Sequence, residues 1–190
     1  GGTTSFGAGG SDFWLVKTDS EGNERWNKTY GGTNTEAALF GGLVQTSDGG
    51  YALAGTTMSY GAGGPDFWLV KTDASGNMQW NKTYGGKDWE FAYSLVQTTG
   101  GGYALAGFTN SSGTGCWDAW LVKTDSEGNE QWNKTYGGTR DDVSARVVQT
   151  NDGGYTLASI TQSYGAGGWD AWLIKTDSAG NMQWNKTYGG

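Results

Sequence analysis

The chain has 190 residues, 19 acidic against 12 basic side chains and no histidine, for a formal net charge of -7. An acidic surface repels phosphate backbones, which argues against nucleic acid as a partner, and no run of about 18 apolar residues is present to span a bilayer. Thirty-six glycines, one proline, 11 tryptophans and 10 tyrosines describe tight turns between aromatic-rich strands, an all-β composition in which large rings carry the burial.

Residues 1–32 hold one Trp-Leu-Val-Lys-Thr-Asp block, beginning at Trp14. It reads as a strand, followed by a turn and a second strand around Trp26, so this opening segment is half a unit whose two earlier strands are missing. The chain starts abruptly inside a repeat, without an export-signal pattern, as an excised piece would. The block returns at Trp68, Trp120 and, with isoleucine for valine, Trp172, at spacings of 54, 52 and 52 residues. A second block, Gly-Gly-Tyr-(Ala/Thr)-Leu-Ala, opens at Gly49, Gly101 and Gly153, each 19 residues ahead of a repeated tryptophan.

In the first complete unit, residues 33–86, four strands follow one another: a over 42–46, b over 51–56, c over 67–72 and d over 79–84. Glycine and Asp/Asn clusters separate them. Units 87–138 and 139–190 repeat the plan. Four strands every fifty-odd residues predict a β-propeller of four-stranded antiparallel blades, about three and a half in this chain. A β-trefoil is the alternative, but the leftover half unit has no place in a closed trefoil. Known propellers use roughly four to eight blades, so the expected partners are a second copy that completes a ring or neighbouring repeats of a longer chain.

The run Asp73-x-x-Gly76-x-x-x-Trp80, recurring as Asp19/Gly22/Trp26, Asp125/Gly128/Trp132 and Asp177/Gly180/Trp184, resembles the tryptophan-docking motif of PQQ-type propellers. The wider pattern is similar to repeats in secreted or cell-surface proteins of archaea and bacteria. That resemblance implies an extracellular or cell-surface location and a structural role for Trp26, Trp80, Trp132 and Trp184, each packing against the next blade. It does not imply PQQ catalysis, because the vicinal cysteines of many quinoprotein sites are absent.

The copies differ most in the d-to-a and b-to-c connections, which share one rim of a propeller. The first read Thr33-Asn34-Thr35-Glu36, Lys87-Asp88-Trp89-Glu90 and Thr139-Arg140-Asp141-Asp142; the second place Ser11, Pro65, Trp117 and Trp169 before Asp12, Asp66, Asp118 and Asp170. Varied loops on a constant frame predict a recognition surface. Exposed Trp89, Trp117 and Trp169 beside Asp118, Asp170, Glu36, Glu90 and Asp142 would stack on a sugar ring and bind its hydroxyls. With loop carbonyls, Glu36, Glu90 and Asp142 are the acids that would hold Ca²⁺.

Asn27, Asn81, Asn133, Asn185 and Asn110 sit in glycosylation acceptor patterns. The single cysteine, Cys116, stands where other copies have glycine and has no histidine partner, so it predicts no catalytic thiol. With acids spread by repetition instead of converging, the expected function is a non-catalytic extracellular scaffold for adhesion or protein interaction. Carbohydrate binding is the alternative, glycans or surface proteins being the expected ligands.

Overall fold

A computed structural model describes residues 1–38 and 42–190. Among these residues there is no helix, and the strands form four antiparallel sheets. The first sheet contains β1 (Gly2–Thr3), β2 (Asp12–Thr18) and β3 (Glu24–Tyr30). The second contains β4 (Glu36–Ala37), β5 (Leu43–Gln45), β6 (Tyr51–Thr57), β7 (Asp66–Thr72) and β8 (Met78–Tyr84). The third runs through β9 (Glu90–Gln97), β10 (Tyr103–Thr109), β11 (Asp118–Thr124) and β12 (Glu130–Tyr136), and the fourth through β13 (Asp142–Gln149), β14 (Tyr155–Thr161), β15 (Asp170–Thr176) and β16 (Met182–Tyr188).

Strands b, c and d lie where the repeat placed them, and two details differ. The opening half unit is not bare of strand b: Gly2 pairs with Phe13 and Thr3 with Asp12, so the end of that strand is present. Strand a begins at the acid preceding the predicted segment, at Glu90 and Asp142. In the second sheet it appears as β4 and β5, both paired to β6, and residues 39–41 between them lie outside the described residues. The sequence accounts for this split: the stretch from Glu36 to Gln45 is two residues longer than Glu90 to Gln97 or Asp142 to Gln149.

Alternate residues of a strand face opposite sides of its sheet, and in the middle sheets both sides are covered. Phe67 and Leu69 of β7 pack, with Ala52 and Ala54, against Tyr103, Leu105, Trp120 and Val122 of the third sheet. Trp68 and Val70, on the other side, join Phe13 and Leu15 of the first sheet. Ala104, Ala106, Ala119 and Leu121 meet Leu157, Trp172 and Ile174 of the fourth in the same way. The sheets thus stack face on face in chain order, as blades do. The ends stay open: Val16 is 38% exposed where its counterpart Val70 is 0% exposed, and Ala171 of the fourth sheet is exposed where Ala119 is buried.

Two contacts recur at every joint. The indole rings of Trp26, Trp80 and Trp132 lie edge-on to Tyr51, Tyr103 and Tyr155 of the following sheet, with centroids 6.0, 5.9 and 5.8 Å apart. Beside them, the hydroxyls of Tyr30, Tyr84 and Tyr136 each donate to the carbonyls of Gly76, Gly128 and Gly180 at 2.7 Å. Burial raises Tyr30 to about 12 and pushes Tyr84 and Tyr136 still further up. Tyr84→Phe should cost about 1 kcal/mol by leaving a buried carbonyl without its donor. Tyr188→Phe, at a residue 58% exposed, should leave the urea midpoint unchanged; equal losses for both would refute the assignment of this bond to joint stability.

Candidate functional site

The rim is built where one sheet hands over to the next. The amide of each residue opening strand a donates to the carbonyl just before strand c of the preceding sheet: Glu36 to Ser11 at 2.6 Å, Glu90 to Pro65 at 2.7 Å and Asp142 to Trp117 at 2.7 Å. Ser11 and Thr35 form a parallel bridge there. Each joint therefore sets two of the varied positions side by side: Ser11 by Thr35, Pro65 by Trp89, and Trp117 by Asp141.

At this rim the third sheet departs from its copies. Trp89 is 52% exposed, and its ring lies 6.2 Å from Phe91 and 6.5 Å from Trp117. Phe108 lies 5.3 Å from Phe91, 5.0 Å from Trp117 and 5.2 Å from Tyr93, so among the described residues five rings form one continuous group. The loops alone pointed to Trp89 and Trp117. Phe91, Tyr93 and Phe108 went unread because they sit inside strands, yet a signal existed: they break the repeat, standing where the fourth sheet has Val143, Ala145 and Ile160.

Between the first and second joints lies a cleft of about 560 Å³, lined by Thr33, Asn34, Thr35, Met58, Pro65 and Trp89 among others. The Trp89 ring packs against Gly64, whose Cβ, if present, would come 2.3 Å from Trp89 Cδ1. In the third sheet the position of Gly64 is taken by Cys116, which is exposed and free. Trp169 is 47% exposed, on the fourth sheet.

The acids are not where the loops suggested. Glu36, Glu90 and Asp142 are 0% exposed, and Asp118 and Asp170 are 1% and 3% exposed, so none lies on the rim surface beside the tryptophans. Each opens a strand and points inward because hydrogen-bond donors wait there. Glu90 Oε1 accepts from Thr109 Oγ1 at 2.7 Å and Oε2 from the Gly86 amide at 2.8 Å, while Glu36 has Thr57 and Gly32 in the same roles, each at 2.8 Å. Asp142 accepts from Thr161, Gly138 and Ser163. Surroundings made of N–H and O–H donors suit an anion or a protonated acid and fit Ca²⁺ poorly, since that ion requires six to eight oxygens. Among the described residues no three of His, Cys, Asp and Glu converge.

Asn27, Asn81, Asn133 and Asn185 are exposed on strand d and have structural partners. Their Oδ1 atoms accept from the indoles of Trp14, Trp68, Trp120 and Trp172 at 3.4, 3.1, 3.2 and 3.1 Å. Asn110 Oδ1 accepts from the Trp89 amide at 2.7 Å and so steadies the rim.

No protein-family model matches the chain. It is similar to a regulatory protein, FlaEY, of Caulobacter vibrioides, at 26% identity over 167 residues, covering 75% of this chain and 18% of that protein. The chain thus spans under a fifth of the length of that relative. A structure of a protein of unknown function from Bacteroides caccae aligns with 91% of this chain and 74% of its own, at 11% identity and a TM-score of 0.40.

Proposed function

We propose that the chain is a non-catalytic interaction scaffold: propeller-type blades of the tryptophan-docking kind, exported to the cell surface, with a rim that binds other proteins. The observation that carries this reading is the group of five rings at the third sheet's rim, built into one copy of an otherwise constant unit. Aromatic residues enrich interface centres because they bury much area at little entropic cost. The similarity to a protein called regulatory accords with binding more than with catalysis. The uncovered faces of the first and last sheets receive further blades, from a second copy or from neighbouring repeats of a longer chain.

Carbohydrate binding is the second reading, favoured by the cleft in which Trp89 stands opposite Asn34 and Thr33. The calcium and glycosylation assignments remain subordinate to both. Peptide display and a glycan array, run in parallel, separate the readings. On the first, peptides bind and Trp117→Ala and Trp89→Ala each lower affinity by about tenfold or more with the melting temperature unchanged. Glycan signal lost in Trp89→Ala transfers the site to the lectin reading, and silence on both arrays removes the rim from consideration.

A further inference from the structure

We propose that the two buried carboxyls at the second joint, Asp66 and Glu90, share one proton, so that mild acidification tightens the contact between the second and third sheets. The second joint shows the geometry most fully. Asp66 opens β7 and Glu90 opens β9, on adjacent sheets, and both are 0% exposed. Asp66 Oδ2 accepts from the Ala62 amide at 2.7 Å, whereas its Oδ1 is buried without any hydrogen-bond partner. That orphan oxygen faces the other acid. A Cβ built on Gly85 would lie 1.7 Å from Asp66 Oδ1 and 2.4 Å from Glu90 Oε2, so the two oxygens flank a single glycine.

A buried carboxylate oxygen without a donor costs several kcal/mol, and two carboxylates in contact repel. A proton on one of them removes both penalties, turning the repulsive contact into an O–H···O bond. No cation does so instead: among the described residues the ion pairs are Arg25–Asp19, Lys71–Asp48 and Lys175–Asp152, none at a joint. Of the other charged groups on the connection between β8 and β9, Lys87 and Asp88 are exposed. Burial, with the Glu90 charge beside it, pushes Asp66 up to about 6.

The first joint repeats the geometry. Asp12 is 1% exposed, its Oδ1 also lacks a partner, and a Cβ on Gly31 would sit 1.5 Å from that atom and 2.6 Å from Glu36 Oε2. At the third joint, a Cβ on Gly137 would lie 1.8 Å from Asp118 Oδ1 and 2.8 Å from Asp142 Oδ2, and Asp142 Oδ2 already accepts from Gly138 and Ser163. Asp170 supplies an internal control: it keeps the amide donor, Ala166 at 2.9 Å, and its glycine, Gly189, while among the described residues no second acid flanks that glycine.

In the unfolded chain an aspartate titrates near 3.9; in the folded chain Asp66 holds its proton to about 6. The folded state therefore binds more protons across this window, and its stability falls as pH rises from about 4 to about 6. Asp48 and Asp152, held low by Lys71 and Lys175, and Asp19, Asp73, Asp125 and Asp177, held low by hydrogen bonds within their turns, act in the opposite sense, mainly below about pH 4.

Thermal melts of the whole chain at about pH 4.5 and about pH 7.5, at constant ionic strength, test the proposal with the isosteric variant Asp66→Asn. The asparagine keeps an acceptor for Ala62 and places an amide N–H where the shared proton would be. The wild type should melt several degrees higher at the lower pH. Asp66→Asn should raise the melting temperature at the higher pH and remove most of the difference, and Asp170→Asn should leave the difference unchanged. A wild-type melting temperature that is flat or falls on acidification overturns the proposal, as does Asp66→Asn lowering stability while keeping the full pH response. Stabilisation of the wild type by millimolar calcium chloride at the higher pH, absent from Asp66→Asn, would reassign the pair as a cation site. Should the variants fail to fold, an infrared band of protonated carboxyl persisting in the wild type at about pH 5.5 still decides the matter: its absence refutes proton sharing.

Discussion

Phe67→Ala should destabilise the chain by about 3–5 kcal/mol, and Gly107→Ser should cost less in that variant than it does in the wild type. Phe67 is 0% exposed, with its ring centroid 4.6 Å from that of Trp120 in the next sheet. Its tip fills the hollow over Gly107, where an added Cβ would come 2.8 Å from Phe67 Cζ and 1.9 Å from the Phe91 carbonyl. The first joint uses the same knob and hollow, Phe13 over Gly55, with 2.6 Å between the ring tip and the missing Cβ. The third joint changes both at once: Ala119 stands for the phenylalanine and Ser159 for the glycine, and both are buried. Gly107→Ser alone therefore overfills the hollow and should cost about 1–3 kcal/mol. The double variant reproduces a pairing the molecule already contains, so its cost should fall short of the sum by at least about 1 kcal/mol. Strict additivity in urea unfolding would show that the two positions do not share a hollow.

Trp80→Ala should cost about 2–3 kcal/mol, less than a fully buried tryptophan, while Trp184→Ala should stay within about 0.5 kcal/mol. The two residues occupy the same position of identical Trp-Asn-Lys-Thr-Tyr runs. Trp80 leans on Tyr103 and on Gly128, whose absent Cβ would lie 2.7 Å from Trp80 Cζ3. Gly128 has φ 77°, a left-handed turn that most side chains avoid. Asp125 holds this turn by accepting from the Glu127 and Asn129 amides at 2.9 and 2.8 Å. Trp184 has the same local sequence and no following sheet in this chain, and it is 45% exposed. Equal losses at both positions would mean that the indole stabilises its own strand and not the joint.

The strands b, c and d were legible because they depend on local features: alternation of two, a glycine of positive φ after each Asp-x-x, and near-perfect copying. Strand a was only half legible. Its first half carries the acid, and a charged residue next to Gly-Gly reads as loop until the Thr109 hydroxyl and the Gly86 amide that receive it are known. The aromatic rim was legible at Trp89 and Trp117, which interrupt loops, and hidden at Phe91 and Phe108, which look like ordinary strand residues.

Repetition in the sequence determined the unit, its four strands and its turn chemistry, since each of these is settled by neighbours along the chain. Only the tertiary structure decided which acids meet, which rings group together and which copy of an identical tryptophan is buried. Those outcomes depend on contacts between sheets, where residues far apart in sequence compete for the same space and the same hydrogen-bond donors.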